Sequence, residues 1–336
     1  MKTISALAFT QGRDVPSARF RVQQYLPQLA AGGVSLRERP ARFGSYPPGP
    51  GAQRLPWFIA TLAERALAAA AGNRADVVLF QREMVSTFDW PEHLCRAPAV
   101  LDVDDAIWLT QRRGMIDRLA ARCRTVLCGN DYIAAHFSRF APVKVLPTGV
   151  DTDRWVPGER AARPTLVWSG SAGGLPYLYA IEAPLARLLA AVPDARLRVV
   201  CNAAPKWARL DPARVEFVPW SPSSEVAAVQ SAWVGLMPMP DTPWTRGKCS
   251  FKMLTYLACG VPAVASPYGM NAQVIAGGGA FGAESDDDWI GQLLALLGND
   301  GAAREAGRVG RQQIERQYSA ALIGTQLAQA LREAAT

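Results

Sequence analysis

Short apolar runs and longer amphipathic segments follow one another along this 336-residue chain. Runs such as Ile4–Phe9, Val77–Phe80 and Thr165–Trp168 have the length and composition of buried strands. Segments with helical spacing of apolar residues follow them, as at about Tyr177 to Val192. This βαβα alternation predicts an α/β fold with parallel sheets.

The length of the chain exceeds what one hydrophobic core usually fills, and domains of about 150 residues are expected. The strand and helix alternation restarts at Thr165, after the Pro-rich segment that follows Val150. The sequence therefore predicts two domains.

Net charge is +7, and it lies mostly in the first half of the chain. Residues 1–151 hold nineteen Lys and Arg against thirteen Asp and Glu. This excess indicates either an anionic partner, such as a lipid-linked phosphate acceptor at a membrane surface or a nucleic acid, or simply an Arg-rich genome. The chain has no aromatic-basic motif, so we expect no nucleic-acid binding.

No apolar run approaches the roughly 18 residues of a membrane span, and the apolar opening is too short for a secretory signal. We therefore expect a cytoplasmic protein. The six cysteines form no CxxC pair and the chain has two histidines, which argues against a zinc site.

The segment from Asp241 to Ile275 has the densest candidate chemistry. It predicts a helix from about Ser250 to Ala258 with Ser250 as the N-cap, then a short strand. The chain has five lysines, and Lys248 and Lys252 stand one helical turn apart here. With the backbone N–H groups of Phe251 and Lys252 they predict a phosphate site, the alternative being a solvated helix start.

Further candidates follow other strands. Gly12 lies in a polar loop after the first strand, and Arg19 begins the next helix, where it can meet a phosphate or lie on a solvated face. Arg82 follows a second strand. Asp102, Asp104 and Asp105 end a third. Because the carboxyl ends of parallel strands face the ligand crevice, these groups should line it, although acidic residues at strand ends also act as loop caps.

The second half adds two candidates at strand ends. Gly170 and Ser171 open a Gly-rich loop that can cradle a pyrophosphate, although its spacing differs from the dinucleotide-binding fingerprint. Trp220 ends another strand and is either a stacking surface for a base or a core residue.

A predicted helix from about Pro56 to Ala71 has Trp57, Phe58, Ile59 and Leu62 near its start. These residues are more often core than membrane contacts, and both interpretations stay open.

The stretch GKCSFKMLTYLACGVPAVASPYGMN resembles the donor-binding segment of GT4-like retaining glycosyltransferases of the GT-B fold. The resemblance implies two facing Rossmann-like domains, at 1–155 on the acceptor side and 163–318 on the donor side. The final segment, 319–336, would be a helix that returns to the first domain.

The resemblance also implies roles for particular residues. Phosphate charge would be met by Arg246, Lys248 and Lys252, and Arg19 would face the cleft. Asp104 stands where many members have a histidine, with Asp105 next, so these two carboxylates are the candidate catalytic groups. The family's paired glutamates map onto Gly247 and Thr255, so Thr255 would hold the ribose hydroxyls weakly or not at all.

We therefore expect a glycosyltransferase that moves a sugar from a nucleotide-sugar donor, of UDP or GDP type, to a glycan, lipid-linked or small-molecule acceptor. By resemblance it would act with retention and without a metal or other cofactor, in the cytoplasm or peripherally at the inner face of the membrane. The alternatives are a GT-B-fold nucleotide-sugar epimerase and, because both glutamates are missing, a non-catalytic nucleotide-sugar-binding protein.

Overall fold

A computed structural model describes residues 2–13, 15–44, 48–49, 51–85, 90–110 and 114–336. Two compact units are present. The first unit comprises Met1–Gly149, Gly247–Cys249 and Ala320–Thr336, and the second comprises Val150–Arg246 and Ser250–Ser319.

The first unit is built on a parallel sheet of six strands in the order β2-β1-β3-β4-β5-β6. Strands β3 and β4 are buried along their whole length, as expected for apolar runs covered on both faces. The strands are β1 (Ile4–Thr10), β2 (Val34–Pro40), β3 (Val77–Gln81), β4 (Ala99–Val103), β5 (Thr125–Cys128) and β6 (Val143–Val145). The first five helices are α1 (Pro16–Arg21), α2 (Leu26–Ala31), α3 (Arg54–Gly72), α4 (Met115–Ala120) and α5 (Asp131–Phe137).

The apolar residues at the start of α3 do not form a core. Trp57, Phe58 and Leu62 are half-buried, and Ile59 is 59% exposed. Leu67, two turns further along, is 75% exposed. Of the two interpretations left open for this cluster, core packing therefore does not apply to Ile59. Among the described residues, no helix is long and apolar enough to cross a membrane.

The second unit has its own six-stranded parallel sheet, in the order β12-β11-β10-β7-β8-β9. Its strands are β7 (Thr165–Gly170), β8 (Arg196–Cys201), β9 (Val215–Pro219), β10 (Val234–Met237), β11 (Ala263–Ala265) and β12 (Ala280–Gly282). Its helices are α6 (Leu175–Tyr179), α7 (Glu182–Ala191), α8 (Pro222–Gln230), α9 (Pro243–Arg246), α10 (Phe251–Ala258), α11 (Met270–Ala276), α12 (Asp286–Gly298) and α13 (Asp300–Gln313).

The single helix predicted from about Tyr177 to Val192 is wrong, because the structure has two helices there, α6 and α7, separated at Ala180 and Ile181. Pro184 explains the break. Proline has no N–H to donate to the carbonyl of Ala180, and its ring would clash with that carbonyl if one helix ran through both residues.

The last helix, α14 (Ala320–Ala335), follows a π-helical turn at Ile314–Tyr318 and belongs to the first unit. Ile323, Leu327 and Leu331 are buried in the core that contains Val22 and Leu29. The apolar face of α14 therefore completes the core of the first unit.

Candidate functional site

The carboxyl ends of the second unit's strands form one edge of its sheet, and the strand order reverses between β7 and β10. From β7 the chain adds β8 and β9 on one side, then returns to place β10, β11 and β12 on the other. Ligands of open α/β sheets bind outside the carboxyl ends of the strands at such a reversal. The residues after β7 and at the start of α10 are therefore candidates for binding a ligand.

Gly170 ends β7 and lies under the side chain of Lys252. A Cβ atom at position 170 would stand 2.7 Å from Lys252 Cε and 2.6 Å from the Trp168 ring. The Lys252 ammonium lies 5.5 Å from the centroid of that ring, in a cation–π arrangement. Only glycine allows Lys252 to cross the end of β7 in this way. Ser171, the next residue, is exposed.

Helix α10 begins at Phe251, close to the predicted start, but Ser250 does not cap it with its side chain. Ser250 adopts a left-handed backbone with φ of 53°, and its Oγ lies 2.6 Å from Asn271 Oδ1. The buried Asn271 in turn donates to the Ser266 carbonyl. The prediction of side-chain capping is therefore wrong, because Ser250 fastens the start of α10 to the end of β11.

The first bond along α10 runs from the Leu254 N–H to the Ser250 carbonyl. The first turn of α10 therefore presents backbone N–H groups at the N-terminal end of the helix. Backbone donors beside a lysine at a helix start favour a bound anion.

Trp220 follows β9 at the same edge and is 38% exposed. Its indole Nε1 donates to Glu225 Oε2 at 3.0 Å, and Ser169 Oγ donates to Glu225 Oε1 at 2.5 Å. Sequence reasoning missed Glu225. Its position in the first turn of α8 looks like an ordinary acidic helix start, and the only sequence signal is its spacing of five residues from Trp220.

Two other predicted donor-binding residues are engaged within the protein. Arg246 donates from Nε and Nη2 to the two carboxylate oxygens of Asp241, at 2.6 and 2.8 Å. Thr255 is buried, and its hydroxyl donates to the Lys252 carbonyl at 2.7 Å. The Thr255 hydroxyl is therefore engaged within α10, in keeping with the expectation that Thr255 holds the ribose weakly or not at all.

Asp102 does not line a crevice in the first unit, contrary to prediction. It is buried within β4 and receives two hydrogen bonds from the buried Arg21 guanidinium, one of them from Nε to Oδ2 at 3.0 Å. Burial raises the pKa of the Asp102 carboxyl and Arg21 opposes that rise. Burial alone would lower the pKa of Arg21, but Asp102 raises it above its ordinary value. The pair is part of the core.

Asp105 pairs with Lys248, which the sequence placed in a phosphate site with Lys252. Lys248 Nζ donates to Asp105 Oδ1 at 2.8 Å, and both residues belong to the first unit. Burial and the neighbouring Asp104 raise the pKa of the Asp105 carboxyl, and Lys248 works against that rise. Lys248 precedes α10 and is not on it, so the predicted one-turn spacing of Lys248 and Lys252 on a helix is wrong.

Asp104 is half-buried, and its Oδ1 has no hydrogen-bond partner among the described residues. A buried carboxylate oxygen without a donor is costly unless a ligand or water supplies one. Asp104 is therefore the carboxylate of this cluster with capacity for a further donor.

Gly247 occupies a place where a side chain does not fit. A Cβ atom there would lie 2.5 Å from Ala106 Cβ and 2.7 Å from the Ala106 backbone nitrogen. A glutamate at this position would require the backbone to move, because such contacts are well inside van der Waals distance.

Gly12 and Arg82 follow β1 and β3, between which the strand order of the first sheet reverses. Arg82 has a left-handed φ of 64°, and its N–H donates to the Asp102 carbonyl at 3.0 Å. Such a backbone is strained for a residue other than glycine. Arg19 on α1 is half-buried, with its guanidinium 5.2 Å from the Phe20 ring centroid.

Within the described ranges, no three His, Cys, Asp or Glu residues lie close enough together to hold a metal ion.

Residues 163–299 match the family model for glycosyl transferases group 1. This match spans most of the second unit and includes β7, α8 and α10. It confirms, for this part of the chain, the resemblance to glycosyltransferases and not its finer assignment to the GT4 group. Among curated protein sequences, none matches the chain.

Several solved structures are similar to the whole chain. Sucrose-phosphate synthase from Thermosynechococcus elongatus is 16% identical with a TM-score of 0.74, and the alignment covers 98% of each chain. Anabaena HepE in complex with UDP-glucose is 10% identical with a TM-score of 0.69, covering 98% of this chain and 99% of that one. AviGT4, a glycosyltransferase of avilamycin A biosynthesis, is 15% identical with a TM-score of 0.66, covering 99% and 98%. These likenesses confirm the predicted α/β class and GT-B fold.

Proposed function

We propose that this protein is a glycosyltransferase whose second unit binds a nucleotide-sugar donor. The observation that carries the proposal is the match of residues 163–299 to the glycosyl transferases group 1 model. The arrangement of Gly170, Lys252 and the start of α10 at the strand reversal supports it. The complex of the similar Anabaena HepE with UDP-glucose makes a UDP-sugar the first donor to test, ahead of the GDP type.

In this proposal Lys252 and the N–H groups that begin α10 stabilise the diphosphate as it leaves the sugar. A charge-assisted bond to a phosphate contributes more than a neutral one, and its value increases as negative charge develops on the leaving group. We propose retention at the sugar and no requirement for a metal or other cofactor. Asp104 is assigned to orient a sugar or acceptor hydroxyl, since its Oδ1 has capacity to accept a hydrogen bond.

The acceptor is proposed to be bound by the first unit and to be a glycan, a lipid-linked molecule or a small molecule. Residues 1–151 hold most of the net positive charge, and α3 exposes Leu55, Ile59 and Leu67. An apolar helix face on a basic unit favours a lipid-linked acceptor at an anionic membrane, with the protein peripheral on the cytoplasmic side. Sedimentation with vesicles of phosphatidylglycerol, but not with vesicles of phosphatidylcholine, would support this part of the proposal.

A thermal-shift screen tests donor binding. A ligand that binds only the folded state increases the free energy of unfolding by mass action, by about 2.7 kcal/mol at a ligand concentration of 100 times Kd. The melting temperature rises as a result. We expect UDP or GDP and their sugars to raise it, and ADP and CMP to have smaller effects. No shift with any of these nucleotides would contradict the proposed donor site.

A further inference from the structure

We infer that Glu225 binds the ribose hydroxyls of the donor nucleotide. The inference rests on the proposed function, because it assigns one residue of the same donor site. It replaces the ribose contact that the resemblance would have given to position 255, where this chain has a buried threonine.

The position of Glu225 follows from its contacts. Ser169, which donates to its Oε1, is the residue before Gly170 on β7, the central strand at the reversal of strand order. Its Oε2 accepts from Trp220, which follows the end of β9. The carboxylate is therefore held at the carboxyl edge of the sheet, beside the residue that precedes Gly170, and Lys252 crosses the end of the same strand at Gly170.

The protein groups along this chain of contacts come in the same order as the base, ribose and diphosphate of a nucleoside diphosphate. An exposed aromatic ring, Trp220, is followed by the Glu225 carboxylate, then by Ser169 and Gly170, and then by the Lys252 ammonium. A base favours the aromatic surface and a diphosphate favours the cation. The ribose lies between base and diphosphate, so its hydroxyls are the part of the ligand that would meet Glu225.

The hydrogen-bonding capacity of the Glu225 carboxylate also favours the ribose hydroxyls as its ligand. An ionised carboxylate has about four acceptor positions, and Ser169 and Trp220 use two of them. Two positions are left for donors, and the vicinal 2′ and 3′ hydroxyls supply two. A phosphate would be repelled at this position because both groups are negatively charged.

Other polar side chains at this edge of the sheet are less suited to binding the ribose hydroxyls. Asp241, which follows β10, gives both of its oxygens to Arg246. Glu284 follows β12, which lies three strands from β7, or about 14 Å at the usual strand spacing. The Thr255 hydroxyl is turned to its own helix. Glu225 is also held in place, because a capping box of Ser221 and Ser224 fixes the start of α8.

The test compares nucleotides with and without each ribose hydroxyl. Calorimetry would measure the Kd of UDP, 2′-deoxy-UDP and 3′-deoxy-UDP, and of the corresponding GDP series, for wild-type protein and Glu225→Gln. We expect the wild type to bind the ribonucleotide about tenfold or more tightly than its deoxy forms, the usual value of a hydrogen bond to a charged group. In Glu225→Gln this ratio should fall to near one, because the ribonucleotide loses two hydrogen bonds to the carboxylate whereas each deoxy form, which keeps one hydroxyl, loses one.

Two control variants separate ribose binding from a structural role. Glu216→Gln removes a carboxylate from β9 that pairs with Arg198, and it should keep the wild-type ratio. Ser169→Ala keeps the Glu225 carboxylate but removes one of the hydrogen bonds that hold it, so its ratio should lie between those of the wild type and Glu225→Gln. Melting temperatures of all variants show whether each is folded.

The outcomes distinguish the inference from the function on which it rests. If Glu225→Gln weakens binding of UDP and of both deoxy forms equally, or leaves all three unchanged, Glu225 does not bind the ribose, and the donor site itself stands. If the wild type binds no nucleotide in either series, the proposed function is overturned and this inference with it.

Discussion

The crossing of Lys252 over Gly170 predicts a specific effect of adding one methyl group. In Gly170→Ala the new Cβ would lie 2.6 and 2.8 Å from Trp168 ring atoms and 2.7 Å from Lys252 Cε. The Lys252 side chain is flexible and can move away, whereas Trp168 is buried and cannot move without disturbing its neighbours. The variant should therefore lose both stability and phosphate affinity.

The losses of stability and of affinity in Gly170→Ala can be estimated from the contacts that the new methyl group would make. Overpacking of a tight site costs roughly 1–3 kcal/mol. For a unit of this size each kcal/mol lowers the melting temperature by about 2–4 °C. Displacement of Lys252 should also weaken binding of a nucleoside diphosphate by about tenfold, since a charge-assisted contact contributes roughly 1.5–3 kcal/mol.

Gly173 provides a matched control in the same loop. A Cβ atom there would have Ser171 Oγ at 3.9 Å as its nearest neighbour, which is ordinary contact. Gly173→Ala should therefore keep wild-type affinity, with a melting temperature unchanged or slightly raised, because alanine reduces the entropy of the unfolded chain. The assays are thermal unfolding and calorimetric titration with UDP and GDP. Equal melting temperatures and affinities for Gly170→Ala and Gly173→Ala would refute the reasoning.

Three further predictions test other parts of the proposal. Lys252→Ala should weaken nucleoside diphosphate binding by roughly 1.5–3 kcal/mol while the protein stays folded, and unchanged affinity by calorimetry would remove Lys252 from the donor site. Asp104→Asn should lower kcat about tenfold, or 1.4 kcal/mol of transition-state stabilisation, with little change in melting temperature; wild-type turnover would show that Asp104 is only a loop residue. Turnover should persist in excess EDTA, and its loss on chelation with recovery in Mg²⁺ or Mn²⁺ would contradict a metal-independent reaction.

The sequence was sufficient to predict the alternation of strands and helices in both halves of the chain, because these patterns are local. The buried runs of β3 and β4 are apolar throughout, and the start of α10 after Ser250 follows from its composition. Pro184 was available as a signal for the break between α6 and α7, and the apolar periodicity around it obscured that signal.

The contacts of the site could not be predicted in the same way, because they join distant parts of the chain. Lys248 looked like a partner of Lys252 four residues away, yet it pairs with Asp105, 143 residues away. Ser169 and Glu225 are 56 residues apart. The environment of Thr255 was also hidden, since α10 is buried from Met253 to Ala258 and its sequence shows no exposed face there.

The central claim is that the protein transfers a sugar from a nucleotide donor, and measurement of that transfer tests it most directly. Purified protein would be incubated with UDP-sugars and GDP-sugars labelled in the sugar, alone and with a panel of lipid-linked, glycan and small-molecule acceptors. We expect the label to move to an acceptor with release of an equal amount of nucleoside diphosphate. Conversion of the labelled sugar to an epimer with donor alone, or donor that stays intact with every acceptor, would contradict it.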